Sequence, residues 1–318
     1  MRVALITGYF VLGSKSLKST SQWAAKKSTG ASRFYSRMPR TTYESDSITV
    51  HPDDGNHSAT IVLMHGLGDS ADGWIDAAQD FSRTMPWVKW ILPTAAQMPV
   101  TLNMGHRMNA WYDIVGLDER AGESCEGIDK SVERVKGILE GEAALGLPYN
   151  RMALAGFSQG GAMSLFTGMQ MPAEKRLAGL LIMSGYCPGY SRFKLTPELA
   201  DLPVLHCHGT ADAVVQFAWA KQTRDYVVGQ GATRYELKEY AGMGHTASPA
   251  EIRDATAHLL SILPEDKSLC LAPKDPSTMS VKELKAAIVQ AGIGSKAVGF
   301  SEKHEFVSLL VAHREGKL

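Results

Sequence analysis

Ser158 stands in the run Gly156-Phe157-Ser158-Gln159-Gly160, with apolar residues before it and small residues after it. A serine hydroxyl is a weak nucleophile until a base takes its proton, so its surroundings decide whether it can attack a carbonyl. The GxSxG spacing suits a sharp strand-to-helix turn that holds the hydroxyl clear of the main chain, where flanking side chains would collide. The base expected for such a serine is a histidine on a later strand-end loop, oriented by a carboxylate, in the order serine, acid, histidine. Of ten histidines, His245 in AGMGHTASPAE fits: it follows an alternating run at 233–240 and precedes a helix start marked by Ser248, Pro249 and Glu251. His65 and His208 also follow strands, but both precede glycine and begin tight turns. His206 lies inside a strand and reads as a core residue, while His304 and His313 read as solvated. Asp212 in HGTADAVV lies just past the apolar run 202–209, whereas Asp201 precedes that run and Asp225 falls in the helix after it. Its part would be to fix the His245 tautomer and stabilise the imidazolium, not to take a proton itself.

An ester or thioester carbonyl also needs donors for the oxygen that becomes negative. One is the main-chain N–H after the nucleophile, that of Gln159. The other comes from a loop after an early strand. HGLGDSADGW (65–74) suits this, with Gly66 and Gly68 letting the chain bend so that the Leu67 N–H faces the site. A tight turn or a phosphate-binding nest is the competing reading; no P-loop Lys-Ser/Thr follows, which disfavours the nest.

Elements that could position these groups alternate along the chain. ATIVLMHG (59–66), VKWILP (88–93), RMALAGF (151–157), LAGLLIMSG (177–185) and LPVLHCHG (202–209) are apolar strands, and TRYELKEY (233–240) alternates like one. Helical patterns occupy 74–82, 127–145, 159–171, 214–229 and 249–262. Continuous apolar strands separated by helices predict an α/β fold: a mostly parallel central sheet with helices on both faces, its site at the carboxyl ends of the strands.

One segment, 93–117, exceeds the usual length of an irregular loop and reads as a lid or binding loop. Met98, Val100, Leu102, Met104, Met108 and Trp111 lie in it, and flexible methionines suit an adaptable apolar groove. A lid that only packs over the core is the plainer reading.

At 318 residues and 44% hydrophobic, the chain can build one large core or two modest ones. Lys+Arg and Asp+Glu both total 33, which argues against a polyanion-binding protein. Residues 1–40 nevertheless carry eight basic and no acidic residues, leaving the remainder at −8. This basic, Ser- and Ala-rich stretch has the composition of a mitochondrial or plastid transit peptide. VALITGYFVL (3–12) could instead be a signal-peptide apolar region, or the stretch a disordered extension with Met38 as the start. No stretch is long and apolar enough to span a membrane. Cys125, Cys187, Cys207 and Cys270 are far apart without CxxC spacing and read as free thiols, not as a zinc site or disulfide framework. After Pro264 a polar linker leads to SVKELKAAIVQAG (280–292) and SEKHEFVSLLVAHRE (301–315), two amphipathic helices in a unit too small for a large core. The divisions expected are a basic extension (1–45), a hydrolase-like domain (57–264), a linker (265–278) and a small helical appendage (279–316).

HGLGD…GW, PVTLNM, WYDI, GFSQGGAMSL, HGTADAVV and MGH occur in the order found in acyl-protein thioesterases and their lysophospholipase/carboxylesterase relatives. Over about residues 57–264 the chain resembles that family. The resemblance implies an α/β-hydrolase fold, with Ser158, Asp212 and His245 as catalytic triad and Leu67 and Gln159 as oxyanion donors. It further implies an acyl channel involving Met98, Val100, Leu102, Met104 and Trp111. Such enzymes remove long-chain acyl groups from cysteine thioesters or lysophospholipids, need no cofactor or metal, are cytoplasmic and touch membranes peripherally at most. The reading that follows is a serine hydrolase acting on S-palmitoyl proteins, with a lysophospholipase or broad carboxylesterase as alternative. The last segment is similar to SAP-like helix-loop-helix repeats. With six Lys/Arg against four Glu in 277–318 it has no dense basic face, so protein docking is a better reading for it than nucleic-acid binding. An interaction protein that uses this unit is the alternative of another class.

Overall fold

The computed structural model describes residues 39–52, 56–116, 124–269, 275–291, 293–314 and 317–318. The targeting reading of the first 38 residues and the Cys270 thiol lie outside them. The described strands are β1 (Thr41–Tyr43), β2 (Ser47–Val50), β3 (Ala59–Met64), β4 (Val88–Pro93), β5 (Gln97–Val100), β6 (His106–Asn109), β7 (Met152–Phe157), β8 (Gly179–Met183), β9 (Val204–Gly209) and β10 (Tyr235–Tyr240). The helices are α1 (Ile75–Thr84), α2 (Ile128–Ala144), α3 (Gln159–Gly168), α4 (Phe217–Gly229), α5 (Pro249–Ile262), α6 (Val281–Gln290) and α7 (Lys303–Arg314).

Eight strands form one sheet in the order β1-β2-β4-β3-β7-β8-β9-β10. Pairing is antiparallel for β1 with β2 and β2 with β4, and parallel from β4 through to β10. The apolar runs are continuous because both sheet faces are covered; every residue of β3 is buried. Successive side chains go to opposite faces. Ile61 and Leu63 pack with Phe81 of α1 and Leu259 of α5, while Val62 and Met64 pack with Val135 of α2 and Leu165 of α3. Burying each such side chain stabilises the fold by about 1.5–3 kcal/mol, so the sheet is a stiff support for the loops at its carboxyl edge.

Two features differ from the sequence reading. The sheet begins before residue 57, and β1 falls within the segment read as an extension. Three- and four-residue strands are too short to show a period, and Ile48 and Val50 become core residues only through their pairing with β4. The 93–117 segment, as far as it is described, is also only partly irregular. β5 and β6 make a separate hairpin with Met98 opposite Met108 and Val100 opposite His106. Pro99 and the polar residues around it hid the alternation; a two-stranded ribbon tolerates proline because its edges need no partner. The turn passes through Met104 (φ 56°) and Gly105 (φ 76°), and Asp113 accepts from both the N–H and the hydroxyl of Thr101 at its base.

The two tail helices bring together Met279, Leu284, Ile288, Ile293, Phe306, Leu309 and Leu310 in a cluster of their own. A capping box between Ser280 and Glu283 starts α6. No helix among the described residues is long and apolar enough to cross a membrane.

Candidate active site

Ser158 sits between β7 and α3 at φ 54°, ψ −120°, a conformation that L-residues avoid and that must be held by its surroundings. Its N–H donates to Met183 O at 2.8 Å, tying the turn to β8. The glycines around it are there for close approach. A Cβ on Gly156 would run into the main chain of Gly160, and one on Gly160 into the Met64 carbonyl at the end of β3. A side chain at either place would therefore push the turn off the sheet.

His245, on the loop between β10 and α5, places Nε2 3.0 Å from Ser158 Oγ and Nδ1 2.7 Å from Asp212 Oδ2. A carboxylate can only accept, so Nδ1 carries the proton and Nε2 presents its lone pair to the serine O–H. The Phe157 ring lies 4.8 Å from the imidazole, centroid to centroid, and limits its swing. Asp212 follows β9 with its side chain fully buried. Its other oxygen accepts from the N–H groups of Val214 and Val215, both at 2.8 Å. Burial pulls this carboxyl toward its neutral form. The hydrogen bond and charge of His245, with the two amides, outweigh that and hold it below the ordinary carboxylate range. The geometry can supply a nucleophile, a base and an orienting anion in one line.

The sequence placed two amides beside this line. Gln159 is the first residue of α3, where the N–H has no intrahelical acceptor and the helix dipole favours negative charge. Leu67 lies between Gly66 and Gly68, the latter at φ 78°. A Cβ on Gly66 would be 3.3 Å from Ser158 Cβ, so this loop runs in contact with the nucleophile. The structure therefore brings Ser158, Asp212, His245 and both amide-bearing loops to one end of the sheet.

The residues assigned to an acyl channel are dispersed along the hairpin. Val100 is fully buried and Leu102 half-buried against the core, while Met104 is 74% exposed at the turn. Met98 lies against Gly127. Trp111 is buried in the segment that follows β6: its indole N–H donates to His65 O at 2.9 Å. Met108, opposite Met98, places its Sδ 3.8 Å from where a Cβ on Gly68 would stand.

Of the other histidines, His206 and His208 are fully buried and their ring nitrogens lie 3.3 Å apart. Tyr235 OH lies against His206 Nδ1 at 2.7 Å, and His208 donates to Val215 O at 2.7 Å; burial disfavours the charged form of both rings. Among the described residues no group of three or more His, Cys, Asp or Glu side chains is arranged to hold a metal ion.

Sequence reasoning missed what the Gln159 side chain does. It is 1% exposed, with Oε1 accepting from Trp111 N–H at 2.9 Å and Nε2 donating to Tyr112 O at 2.7 Å. A glutamine beside a nucleophile gives no sequence sign of such partners, and the only available hint was the unusual length of the segment that supplies them.

Known proteins resemble the chain over this same region. The model of the phospholipase/carboxylesterase family matches residues 45–263. An acyl-protein thioesterase 1 from Yarrowia lipolytica is 37% identical over 209 residues, 64% of this chain and 91% of that protein. An acyl-protein thioesterase 1 homolog from Dictyostelium discoideum is 36% identical, covering 66% and 92%. Among solved structures, Zea mays acyl-protein thioesterase 2 superposes with a TM-score of 0.59 at 31% identity, covering 68% of this chain and 98% of that one. Arabidopsis thaliana SOBER1 gives 0.58 at 30% identity, covering 64% and 99%. The strand-turn-helix around Ser158, the loops that carry Asp212 and His245 and every strand of the sheet beneath them except β1 fall inside the matched residues, and the chain belongs to the phospholipase/carboxylesterase family of α/β-hydrolases.

Proposed function

We propose that this hydrolase removes long-chain acyl groups from cysteine thioesters through an acyl-enzyme on Ser158. The observation that carries the reading is the continuous line Ser158 Oγ, His245, Asp212 at 3.0 and 2.7 Å. Relatives with 35–37% identity named acyl-protein thioesterase support the substrate class.

In the acylation step Ser158 Oγ attacks the thioester carbonyl as its proton passes to His245 Nε2. Asp212 stabilises the imidazolium without taking a proton. The carbonyl oxygen, now negative, accepts from the N–H groups of Gln159 and Leu67. Such donors cost no reorganisation as the charge appears, and each typically contributes about 3–4 kcal/mol. The C–S bond breaks, the Nε2 proton passes to the leaving sulfur, and the free cysteine departs. Water then attacks the acyl-Ser158 ester with His245 again as base, releasing the fatty acid and restoring the serine.

Labelling with a fluorophosphonate, together with hydrolysis of a palmitoyl-cysteine peptide and of a lysophospholipid, tests the proposal. We expect Ser158 to label, the peptide to be cleaved, and both to vanish in Ser158→Ala. Equal labelling of the Ala variant overturns the mechanism. Turnover of the lysophospholipid alone overturns the thioester assignment in favour of an oxyester lipase.

A further inference from the structure

Two main-chain donors serve the proposed oxyanion hole, and they come from loops after different strands, Leu67 after β3 and Gln159 after β7. Both loops are rich in glycine, so neither fixes its own geometry. The segment Asn109–Tyr112 lies against both. On the Leu67 side, Gly68 N–H donates to Asn109 O at 2.8 Å and Asn109 Nδ2 donates to Asp69 O at 2.9 Å. The Trp111 indole donates to His65 O at 2.9 Å. The His65 ring completes that side, with Nδ1 donating to Gly66 O at 2.6 Å and Nε2 accepting from Ala95 N–H at 2.9 Å. On the other side, both polar atoms of the Gln159 carboxamide bind the main chain of Trp111 and Tyr112.

We infer that Gln159, Trp111 and His65 act through their side chains as positioning residues that splint the two oxyanion donors at a fixed spacing. The inference rests on the proposed function for the identity of those donors. None of the three side chains needs to touch the reacting carbonyl. A buried carboxamide satisfied at both ends has one orientation, and reversing it would set N–H against N–H and O against O. Burial disfavours the charged form of the His65 ring. A charged ring would carry a proton on Nε2 and reject the Ala95 N–H, so the neutral ring is the one that fits. The splint is also continuous with the hairpin, since Asn109 is the last residue of β6. Its effect should lie in kcat: an oxyanion donor acts mainly in the transition state, and misplacement of a catalytic group by about 1 Å can cost on the order of 100-fold.

The test compares Gln159→Met, which keeps the length of the side chain and removes both bonds, with Trp111→Phe, which removes the indole N–H together with part of the buried ring and keeps an aromatic side chain in place. Each is assayed on the palmitoyl-cysteine peptide, with active sites counted by fluorophosphonate. For Gln159→Met we expect kcat per labelled serine to fall about 10- to 100-fold, with KM within about threefold. The phosphonylation rate should fall in step, because that transition state loads the same oxygen. Trp111→Phe should show the same pattern at smaller size, and the double variant should lose less than the product of the single losses. If kcat per labelled serine is unchanged in both variants while only melting temperature or the labelled fraction drops, the side chains are merely structural and the inference is overturned. A rise confined to KM overturns it too. Turnover retained in Ser158→Ala would instead overturn the serine mechanism, and this inference with it.

Discussion

The His245 Nδ1–H donates to Asp212 Oδ2 across 2.7 Å, joining the loop after β10 to the loop after β9. This bond decides which imidazole nitrogen faces Ser158 without a proton. In Asp212→Asn the amide can present N–H to Nδ1, which puts the histidine proton on Nε2 and leaves the serine with no base. We expect kcat to fall by about 10⁴-fold with little change in the denaturation midpoint, since Asn can still accept from Val214 and Val215. Activity per folded molecule is the measurement. A variant within tenfold of wild type would show that Asp212 does not set the tautomer.

Two Gly→Ala substitutions should part company. At Gly160 the new methyl meets the Met64 and His65 carbonyls, which are main chain and cannot step aside. We expect destabilisation of about 1–3 kcal/mol or more from overpacking, with activity lost as the elbow shifts. At Gly141, an exposed position of α2, nothing lies within 4 Å of the added methyl. Alanine there should stabilise by about 0.5–1 kcal/mol and leave kcat alone. Urea midpoints for the pair, with kcat per labelled serine, check both halves.

Far from the site, at the amino end of β3, buried Glu142 accepts from Thr60 at 2.8 Å, pairs with Lys89 at 2.6 Å and contacts His57 at 3.0 Å. Burial pulls its pKa up. The His57 hydrogen bond and the Lys89 charge outweigh that and bring it from 4.5 down to about 2. A lowered carboxyl pKa contributes stability that is present above the unfolded value and lost as pH falls through the folded one. Glu142→Leu leaves the Lys89 and His57 partners buried without an anion, so we expect a loss of about 3–5 kcal/mol near neutral pH. The gap from wild type should narrow as pH falls from 4.5 toward 2. A gap that stays constant over that window would locate the effect in packing.

The chemistry was more legible in the sequence than the framework that tunes it. Ser158, Asp212 and His245 each follow an apolar or alternating run long enough to read as a strand, so their convergence at one sheet end follows from the parallel topology. β1 and β2 escaped notice because three or four residues carry no periodicity, and the hairpin of β5 and β6 because Pro99 breaks its alternation. The Gln159 clasp reaches across 47 and 48 residues to main-chain atoms. Main-chain partners leave no trace in residue type, so a single sequence cannot announce them. Trp111 was legible as apolar and close to the site, but the hydrogen bond from its indole N–H to His65 O joins positions 46 residues apart and has a main-chain acceptor that residue type does not reveal.

Glu251 offers a dependence on pH of the opposite sign. It is 0% exposed at the third position of α5, where its Oε2 accepts from Ser248 N–H at 3.3 Å while Ser248 Oγ accepts from Glu251 N–H at 3.1 Å. Its Oε1 has no hydrogen-bond partner among the described residues. Burial, only partly opposed by the Ser248 amide, raises the carboxyl from 4.5 to about 7. A raised carboxyl pKa means that the folded state holds a proton the unfolded chain has released. The contribution to stability is full below 4.5, declines as pH rises, and is gone above about 7. A shift of that size corresponds to on the order of 3 kcal/mol. Glu251→Gln keeps an acceptor for the capping box and cannot ionise. We therefore expect wild type to lose stability between pH 5 and pH 8 relative to the variant, and Glu251→Gln to be the more stable of the two at pH 8. Chemical denaturation at the two pH values measures the difference directly. Parallel pH profiles would mean that Glu251 is charged in the folded protein and that some group or water beside Oε1 compensates it.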